Sequence, residues 1–284
     1  MSGWLQPEPA NWWQIVEDAY HEDIGSGDVT GGCIDPDKMV EWYIEVQAEG
    51  ILCGVGIAEH LLSPLPGDPE DFDLEVHALD GDSVRRGDHV MKGRMPARRA
   101  LAVERTVLNF MMHLSGVASL TAKFVQQVEG TNARIVDTRK TLPGLRSLQK
   151  YAVRCGGGHN HRMGLFDGAM IKDNHIMAVG SIRKAVERVR SYASHMTKIE
   201  VECENLKQVA EAIEAGAEVV LLDNMDPFTM REAVQKFKGK ALLEASGGIS
   251  LDTVKGVAQT GVDLISVGAL THSAISLPIH MEIC

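Results

Sequence analysis

From about residue 133 onward, short β-rich runs alternate with segments of helical periodicity. In two of these segments apolar residues recur at i, i+3, i+4 and i+7, as on one helix face. These residues are Ile182, Ala185, Val186 and Val189, then Leu206, Val209, Ala210 and Ile213. The β-rich runs cover 134–136, 169–172, 199–201, 219–222, 242–244 and 264–267. Repeated β-α units need parallel strands with crossover helices, so this half is predicted to be an α/β barrel or an open doubly wound sheet. Ser181 and Ser250 are predicted helix N-caps.

The first 115 residues have mixed periodicity and are predicted to fold as α+β. A helix is predicted over 12–20, and a half-buried strand over 41–48, where apolar and polar residues alternate. Three prolines within 63–69 predict a loop, because proline fixes φ and removes a donor. A second helix is predicted over 97–114, with Arg105, Asn109 and His113 in a row beside its apolar stripe.

Charge and cysteine usage exclude several classes of protein. The net charge of -11 and the pI near 5.5 argue against nucleic acid or anionic lipid as a partner. No apolar run reaches the roughly 20 residues of a membrane helix, and the first residues do not resemble a signal peptide, so a cytoplasmic protein is predicted. The five cysteines include no CxxC pair and are predicted to be buried reduced thiols: Cys33, Cys53, Cys155, Cys203 and Cys284.

Each of the six β-rich runs ends in charged groups or glycines. In order along the chain these are 137–140 (Asp-Thr-Arg-Lys), 172–175 (Lys-Asp-Asn-His), Glu202, 223–224 (Asp-Asn), 246–248 (Ser-Gly-Gly) and 268–269 (Gly-Ala). Parallel strands of a barrel bring their carboxyl ends to one rim, where such folds have their active sites. The alternative, that charges follow strands because loops are solvated, explains their polarity but not the absence of ordinary turn chemistry.

The stretch 134–162 concentrates positive charge in an acidic protein. It contains seven Lys or Arg residues and one acid, Asp137, for a net charge of +6. Such a concentration suits a small polyanion, because arginine binds carboxylate or phosphate in bidentate fashion and lysine supplies a point charge. A solvated basic face is the alternative. The glycines at 156–158, followed by His-Asn-His-Arg, disfavour a solvated face, because an ordinary surface does not need a flexible backbone beside four polar side chains.

Two carboxylates and two glycine loops extend this predicted site. Glu202 and Asp223 end consecutive strands, so they would be ion-pair partners of the cations or would hold Mg²⁺ together with water and substrate phosphate. The loops at 246–248 and 268–269 offer backbone N–H groups suited to phosphate.

Several long motifs resemble the quinolinate phosphoribosyltransferase family. They are DTRKTLPGLR at 137–146, GGGHNHR at 156–162, IKDNHI at 171–176, EVE at 200–202, LDN at 222–224, SGGI at 246–249 and EDIGSGDVT at 22–30. The departures, Cys203 and Gln149, touch no proposed charged contact. The resemblance implies an incomplete TIM-like α/β barrel with an N-terminal α+β open sandwich domain. The implied boundaries are 1–115 for the sandwich, joined by about 270–284, and 116–269 for the barrel.

The resemblance also implies a reaction: transfer of phosphoribose from 5-phosphoribosyl 1-pyrophosphate to quinolinate with decarboxylation. The family's site residues carry over onto matching positions. Substrate binding falls to Arg105, Thr138, Arg139, His161, Arg162 and Lys172; phosphate binding to Lys140, Ser246, Gly247, Gly248, Gly268 and Ala269; catalysis to Lys140, Lys172, Glu202 and Asp223; and Mg²⁺ binding to Glu202 and Asp223. A homodimer, or a multiple of dimers, is implied, with Arg105 entering the neighbouring subunit's site.

Three alternatives remain at this point. A lyase or aldolase would use Lys172 or Lys140 as a Schiff base, because cations crowded together depress the pKa of a lysine. A related phosphoribosyltransferase-like protein associated with molybdate transport would share the fold. A non-catalytic anion-binding module would use the same cations for binding alone.

Overall fold

The computed structural model describes residues 12–64 and 72–284. Contacts divide the chain into two compact units. The N-terminal unit comprises 1–122, 142–157 and 273–284, and the barrel unit comprises 123–141 and 158–272. In the described part of the chain, no helix has both the length and the apolar character needed to cross a membrane.

The N-terminal unit combines an antiparallel sheet with helices. Its strands are β1 (Met39–Val46), β2 (Gly50–Ile51), β3 (Asp73–Val76), β4 (Ser83–Val84), β5 (His89–Pro96) and β12 (Ile279–Ile283). Its helices are α1 (Trp12–Ile24), α2 (Val55–Leu62), α3 (Ala97–Gln127, whose last turn lies beyond the unit) and α4 (Arg146–Cys155), with a 3₁₀ turn at Gly31–Cys33. The four-stranded sheet has the order β12-β1-β5-β3, and β2 pairs with β4.

The period-2 pattern of β1 decides which face of the sheet is buried. Trp42, Ile44 and Val46 are at most 1% exposed, whereas Glu41 beside them is exposed. One face of the strand therefore packs into the core, as predicted from the alternation. The predicted loop at 63–69 begins at Ser63, the C-cap of α2, and its residues from 65 lie outside the described ones.

The barrel unit is built from parallel strands. They are β6 (Arg134–Val136), β7 (Ala169–Ile171), β8 (Ile199–Cys203), β9 (Val219–Asp223), β10 (Leu242–Ser246) and β11 (Leu264–Ser266), in the order β6-β11-β10-β9-β8-β7. The connecting helices are α5 (Asp173–Val179), α6 (Ile182–Tyr192), α7 (Leu206–Glu214), α8 (Pro227–Phe237), α9 (Val254–Ala258) and α10 (Ala269–His272). The order opens at β6 and ends at β7, which confirms the predicted incomplete barrel.

One of the two predicted caps is confirmed and the other is wrong. The Ser181 side chain accepts a hydrogen bond from the Lys184 amide and caps α6. Ser250 caps no helix: α9 begins only at Val254, with Thr253 as its N-cap. The positive φ values of Gly247 and Gly248, +102° and +60°, carry the chain through a loop before the helix begins.

The unit boundaries depend on long-range contacts. The predicted division at residue 115 falls inside α3, which continues to Gln127. The segment 142–157, which carries α4, groups with the N-terminal unit, and the carboxyl-terminal strand β12 pairs with β1 of the same unit.

Candidate active site

The chemistry-bearing residues collect at one rim of the barrel, formed by the carboxyl ends of its strands and the loops that follow them. In strand order the rim carries Lys140 after β6, Gly268 after β11, Ser246 on β10, Asp223 on β9, Glu202 on β8 and Lys172 after β7. The parallel sheet explains this arrangement, because every strand delivers its carboxyl end to the same side. The sequence prediction that these residues share one rim is therefore confirmed.

Two arginines lie close enough at the rim to affect each other. Burial lowers the pKa of the Arg162 guanidinium, and the positive charge of Arg139 lowers it further, while Glu200 and Asp167 act in the opposite direction. The Arg162 side chain is held in place by donating from Nη1 to the Gly168 carbonyl, at 2.9 Å. Neighbouring guanidiniums repel each other, so this pair is suited to an anion with more than one negative charge.

Lys172 forms an ion pair with Glu202. Its Nζ donates to Glu202 Oε2, and the lysine side chain is 45% exposed whereas the carboxylate is 14% exposed. Schiff-base chemistry needs a lysine amine that is available to attack a carbonyl carbon, and this Nζ is engaged with Glu202, so the contact disfavours the lyase alternative for Lys172.

Asp223 and the glycine loop after β10 pack against each other. Ser246 is paired with Asp223 in the sheet register, and the Asn224 side chain donates to Asp223 Oδ2 at 2.8 Å. Gly247 has a φ of +102°, and a Cβ atom there would lie 2.1 Å from Asn224 Oδ1. A larger residue would collide, so glycine is required for the loop to approach Asn224, whose side chain holds Asp223.

Lys140 lies across the loop after β11. A Cβ atom on Gly268 would lie 3.1 Å from Lys140 Cδ, and the Thr271 hydroxyl donates to the Lys140 carbonyl at 2.8 Å. Thr138 Oγ1 accepts from the Lys140 amide at 3.0 Å, which fixes the turn that presents the lysine. The phosphate-binding residues predicted on β6 and β11 are therefore neighbours, and Lys140 is exposed to solvent.

A buried polar cluster lies in the barrel interior. His161 Nε2 lies 2.9 Å from Glu200 Oε2 and 3.7 Å from Glu244 Oε1. The buried Asp137 accepts from the His161 amide at 2.9 Å and from the Asn160 side chain at 2.6 Å. The sequence prediction did not assign roles to Glu200 and Glu244. Each precedes a rim residue, Glu202 or Ser246, by two positions, and this spacing puts them on the same strand face, which is the signal that would have found them.

Three cations of this stretch, Arg146, Lys150 and Arg154, belong to α4, which groups with the N-terminal unit, and Lys150 is completely buried. The stretch 134–162 therefore passes from one unit to the other and back. Arg105 lies on α3, with its side chain 59% exposed.

The thiols are partly as predicted. All five cysteines are reduced, and Cys53, Cys155 and Cys203 are buried, whereas Cys33 and Cys284 are exposed, so the prediction of burial is wrong for those two. Burial raises the pKa of the Cys203 thiol to about 12, with the negative charge of Glu202 adding to the effect. A thiol with so high a pKa is inert at neutral pH.

Glu202 and Asp223 provide the donor chemistry that Mg²⁺ prefers. Both are half-buried carboxylates on adjacent strands of the rim, and each already has one nitrogen partner, Lys172 Nζ or the Asn224 side-chain amide. Two carboxylates leave most of an octahedral shell to water and phosphate oxygens, as is usual for Mg²⁺ in phosphoryl-containing sites. The residues therefore fit a magnesium ion that arrives with a phosphorylated substrate.

Comparison with known proteins identifies two family domains along the chain. Residues 27–115 match the N-terminal domain model of quinolinate phosphoribosyl transferase, and residues 117–282 match its C-terminal domain model. A probable nicotinate-nucleotide pyrophosphorylase (carboxylating) from Bacillus subtilis is 44% identical over 270 residues, or 95% of this chain and 92% of the relative. The nicotinate-nucleotide pyrophosphorylase (carboxylating) of Mycobacterium leprae is 42% identical over 94% of this chain and 95% of its own length.

Solved structures agree with the sequence relatives. The crystal structure of nicotinate-nucleotide pyrophosphorylase from Ehrlichia chaffeensis superposes with a TM-score of 0.91 at 38% identity, covering 96% of this chain and 98% of the other. The corresponding structure from Francisella tularensis gives a TM-score of 0.89 at 37% identity over 95% of both chains. Together with the two domain matches, these likenesses show that the chain belongs to the quinolinate phosphoribosyltransferase family.

Proposed function

We propose that this chain transfers phosphoribose from 5-phosphoribosyl 1-pyrophosphate to quinolinate with decarboxylation. The products are nicotinate mononucleotide, pyrophosphate and CO₂, a step of de novo NAD synthesis, which makes the protein a pentosyltransferase. The observation that carries the proposal is the composition of one rim, which combines the cations Arg139, Arg162, Lys140 and Lys172 with two carboxylates and two glycine loops. The family relatives at 37–44% identity carry names for the same reaction.

Quinolinate binding falls to the cations near β6 and β7. Quinolinate is a dianion, and the mutually repelling Arg139 and Arg162 gain most from an anion with two carboxylates. Lys172 adds a third positive charge, already oriented by Glu202. The arginines must leave the 2-carboxylate loosely held, because tight binding of the departing group would stabilise the ground state more than the transition state.

Phosphate binding falls to the loops that follow β6, β11 and β10, which are neighbours in the sheet. Lys140 lies over Gly268, and the Ser246–Gly248 loop follows the next strand of the sheet. Backbone N–H groups of such loops, together with one ammonium, match the phosphate groups of the donor. Glu202 and Asp223 would hold Mg²⁺, which when bound neutralises the pyrophosphate leaving group.

The chemical step requires stabilisation of two opposite charges. As pyrophosphate departs, positive charge develops on the ribose ring, where the Glu202 and Asp223 carboxylates supply negative charge. Lys140 neutralises the departing phosphate oxygens. The pyridine nitrogen bonds to the ribose carbon as that carbon's bond to the pyrophosphate oxygen breaks. When the adjacent carboxylate leaves as CO₂, its bonding electron pair stays on the ring carbon, where the positive charge of the quaternary nitrogen stabilises it until a proton from solvent bonds to that carbon. No organic cofactor is needed, because the cationic ring nitrogen itself stabilises this electron pair.

The proposal extends to a homodimer, or a multiple of dimers, with shared sites. Arg105 projects from α3 with its side chain 59% exposed and a 3.4 Å contact to the adjacent Glu104. A guanidinium so exposed is available to complete a neighbouring subunit's site. Mixing Arg105→Ala and Lys172→Ala proteins tests this: shared sites regain activity in the mixed dimer, and failure to regain any activity argues against them. A cytoplasmic location also belongs to the proposal, supported by the five widely spaced cysteines, which include no CxxC pair and encode no disulfide framework.

Lys140→Ala tests the assigned phosphate site. We expect kcat/KM for 5-phosphoribosyl 1-pyrophosphate to fall by more than about tenfold, or roughly 1.4 kcal/mol of transition-state stabilisation. Lys236→Ala is the matched control, because Lys236 pairs with Glu232 on the exposed surface of α8 and should leave turnover unchanged. Wild-type protein should release CO₂ and nicotinate mononucleotide in equal amounts. A loss below tenfold in Lys140→Ala would remove that residue from the transition state.

A further inference from the structure

Asn224 has an unusual backbone conformation at the rim. Its φ is 52°, and no other non-glycine residue in the described part of the chain has a positive φ. This left-handed region costs an L-residue free energy, although asparagine, aspartate and glycine tolerate it best. Asn224 directly follows β9, and its backbone amide donates to the Ser246 carbonyl on β10 at 3.0 Å. Strained backbone of this kind clusters at functional sites, so Asn224 is a candidate for a role there.

The Asn224 side chain contacts both neighbouring parts of the site. Its Nδ2 donates to Asp223 Oδ2 at 2.8 Å, and its Oδ1 lies 2.1 Å from the position that a Cβ atom on Gly247 would take. The amide orientation follows from chemistry, because an oxygen in place of Nδ2 would repel the carboxylate. Asp223 Oδ1 accepts no hydrogen bond from the described residues, so one oxygen of this carboxylate is held and the other is available to a ligand.

We propose that Asn224 is a positioning residue for 5-phosphoribosyl 1-pyrophosphate: its side chain fixes the orientation of Asp223 relative to the glycine loop at 246–248. The donor carries its ribose hydroxyls and phosphates in one molecule, so a carboxylate and a phosphate loop that bind it must be held at a fixed separation. None of the hydrogen bonds of Asn224 in the described structure goes to the cations assigned to quinolinate, so quinolinate binding does not depend on it. This inference rests on the proposed function in naming the donor as the ligand of this part of the rim.

Two substitutions separate the side-chain amide of Asn224 from its backbone. Glycine adopts a positive φ readily, so Asn224→Gly removes the amide without adding backbone strain. Asn224→Asp also tolerates this φ, but it places a second carboxylate beside Asp223 where Nδ2 donated. We expect both to raise KM for the phosphoribosyl donor by about tenfold and to change KM for quinolinate less than about threefold. Asn132→Gly, at an exposed asparagine of the same unit, is the matched control and should leave both constants unchanged.

Calorimetry measures the same effect without turnover. Phthalate has the two adjacent carboxylates of quinolinate but no ring nitrogen, so it can occupy the quinolinate site without reacting. With phthalate and Mg²⁺ present, we expect Asn224→Gly and Asn224→Asp to bind the donor about tenfold more weakly than wild type. The affinity for phthalate itself should stay within about threefold of the wild-type value, because Asn224 contacts the donor side of the rim.

Thermal unfolding tests the backbone conformation of Asn224. Alanine rarely adopts a positive φ, whereas glycine does so readily. We therefore expect Asn224→Ala to melt at a lower temperature than Asn224→Gly, although both lack the amide. Equal melting temperatures would show that the residue is not held in the left-handed region and would remove the observation from which the inference starts.

Failure of this inference is distinguishable from failure of the proposed function. If Asn224→Gly or Asn224→Asp keeps the wild-type KM and affinity for the donor, the positioning role is wrong while the reaction stands. An equal loss of affinity for phthalate and for the donor would likewise overturn it, because the damage would then extend over the whole rim. If the wild-type protein binds no 5-phosphoribosyl 1-pyrophosphate, with or without phthalate, both the proposed function and the inference fail.

Discussion

Two carboxylate clusters, one in each unit, differ in how completely their oxygen atoms are hydrogen-bonded. In the N-terminal unit the half-buried Asp80 accepts from the Gly54 and Val55 amides at 2.8 and 2.9 Å, and from the Tyr151 hydroxyl at 2.8 Å. In the barrel unit the buried Glu200 and Glu244 each leave Oε1 without a hydrogen-bond partner in the described structure.

The contrast separates a structural cluster from a functional one. Buried polar groups are normally satisfied, because an unpaired buried donor or acceptor costs free energy. Asp80 joins the start of α2 to α4, and its bonds stabilise that junction. The barrel cluster retains unsatisfied oxygens directly below the rim that carries Arg162 and Glu202, so it is maintained at a cost to stability. Proteins keep such costs where activity requires them.

Substitution at Asp80 gives the largest expected effect. Asp80→Ala leaves three donors of buried residues unpaired, and we expect the N-terminal unit to lose roughly 3–6 kcal/mol of unfolding free energy. Tryptophan fluorescence during urea unfolding reports this unit, because the tryptophans of the described residues, Trp12, Trp13 and Trp42, belong to its first sequence segment. Asp73→Ala, at an exposed residue of β3, is the control and should change stability by less than about 0.5 kcal/mol. Equal effects of the two substitutions would contradict a structural role for the Asp80 cluster.

Glu244→Gln tests the cluster in which a buried carboxyl oxygen has no hydrogen-bond partner among the described residues. Burial raises the folded-state pKa of Glu244 to about 7, so its contribution to stability is fully present below its unfolded pKa and is lost as pH rises through about 7. An amide cannot ionise, so at pH values above about 8 we expect Glu244→Gln to be more stable than wild type by on the order of 2–3 kcal/mol, with the difference vanishing below about pH 4.

Hydrogen exchange of peptides from β8 to β10 measures this stability in the barrel unit, which contains no tryptophan. Glu232→Gln, which alters an exposed ion pair on α8, is the control and should give the wild-type pH dependence. Parallel pH curves for wild type and Glu244→Gln would mean that folding does not change the pKa of Glu244, and that the two clusters do not differ as argued.

The sequence determined much of the barrel and its rim before any contact was known. The runs at 134–136, 199–201 and 219–222 are strands, because period and turn chemistry are local properties of the chain. The rim residues follow from that, since parallel strands must end on the same side. Family motifs then assigned their chemistry, and the relatives confirm the family.

The interior of the site was not predictable in the same way. Which oxygen of Glu200 meets His161, and that His161 Nδ1 faces the Arg162 amide, depend on side-chain packing across strands that are distant in sequence. The assignment of 142–157 to the N-terminal unit likewise depends on contacts with residues distant in sequence, such as the Tyr151 bond to Asp80 and the approach of Gly156 to the Ala118 carbonyl on α3, where a Cβ atom would lie at 2.3 Å. Local propensity carries no information about such long-range approaches.

Glu218 is a more exposed carboxylate that has partners on both of its oxygens. It therefore shows whether the number of hydrogen bonds or the burial of the partners decides how much a carboxylate contributes to stability. One oxygen of Glu218 pairs with Arg190, and the other accepts from the Ile199 amide at 2.8 Å. Both side chains of the ion pair are 39% exposed, so water replaces the lost partner. We expect Arg190→Met to cost less than about 1 kcal/mol in barrel-unit hydrogen exchange, and less in high salt than in low salt. A cost approaching that of Asp80→Ala would mean that the number of bonds, rather than burial, decides how much a carboxylate contributes.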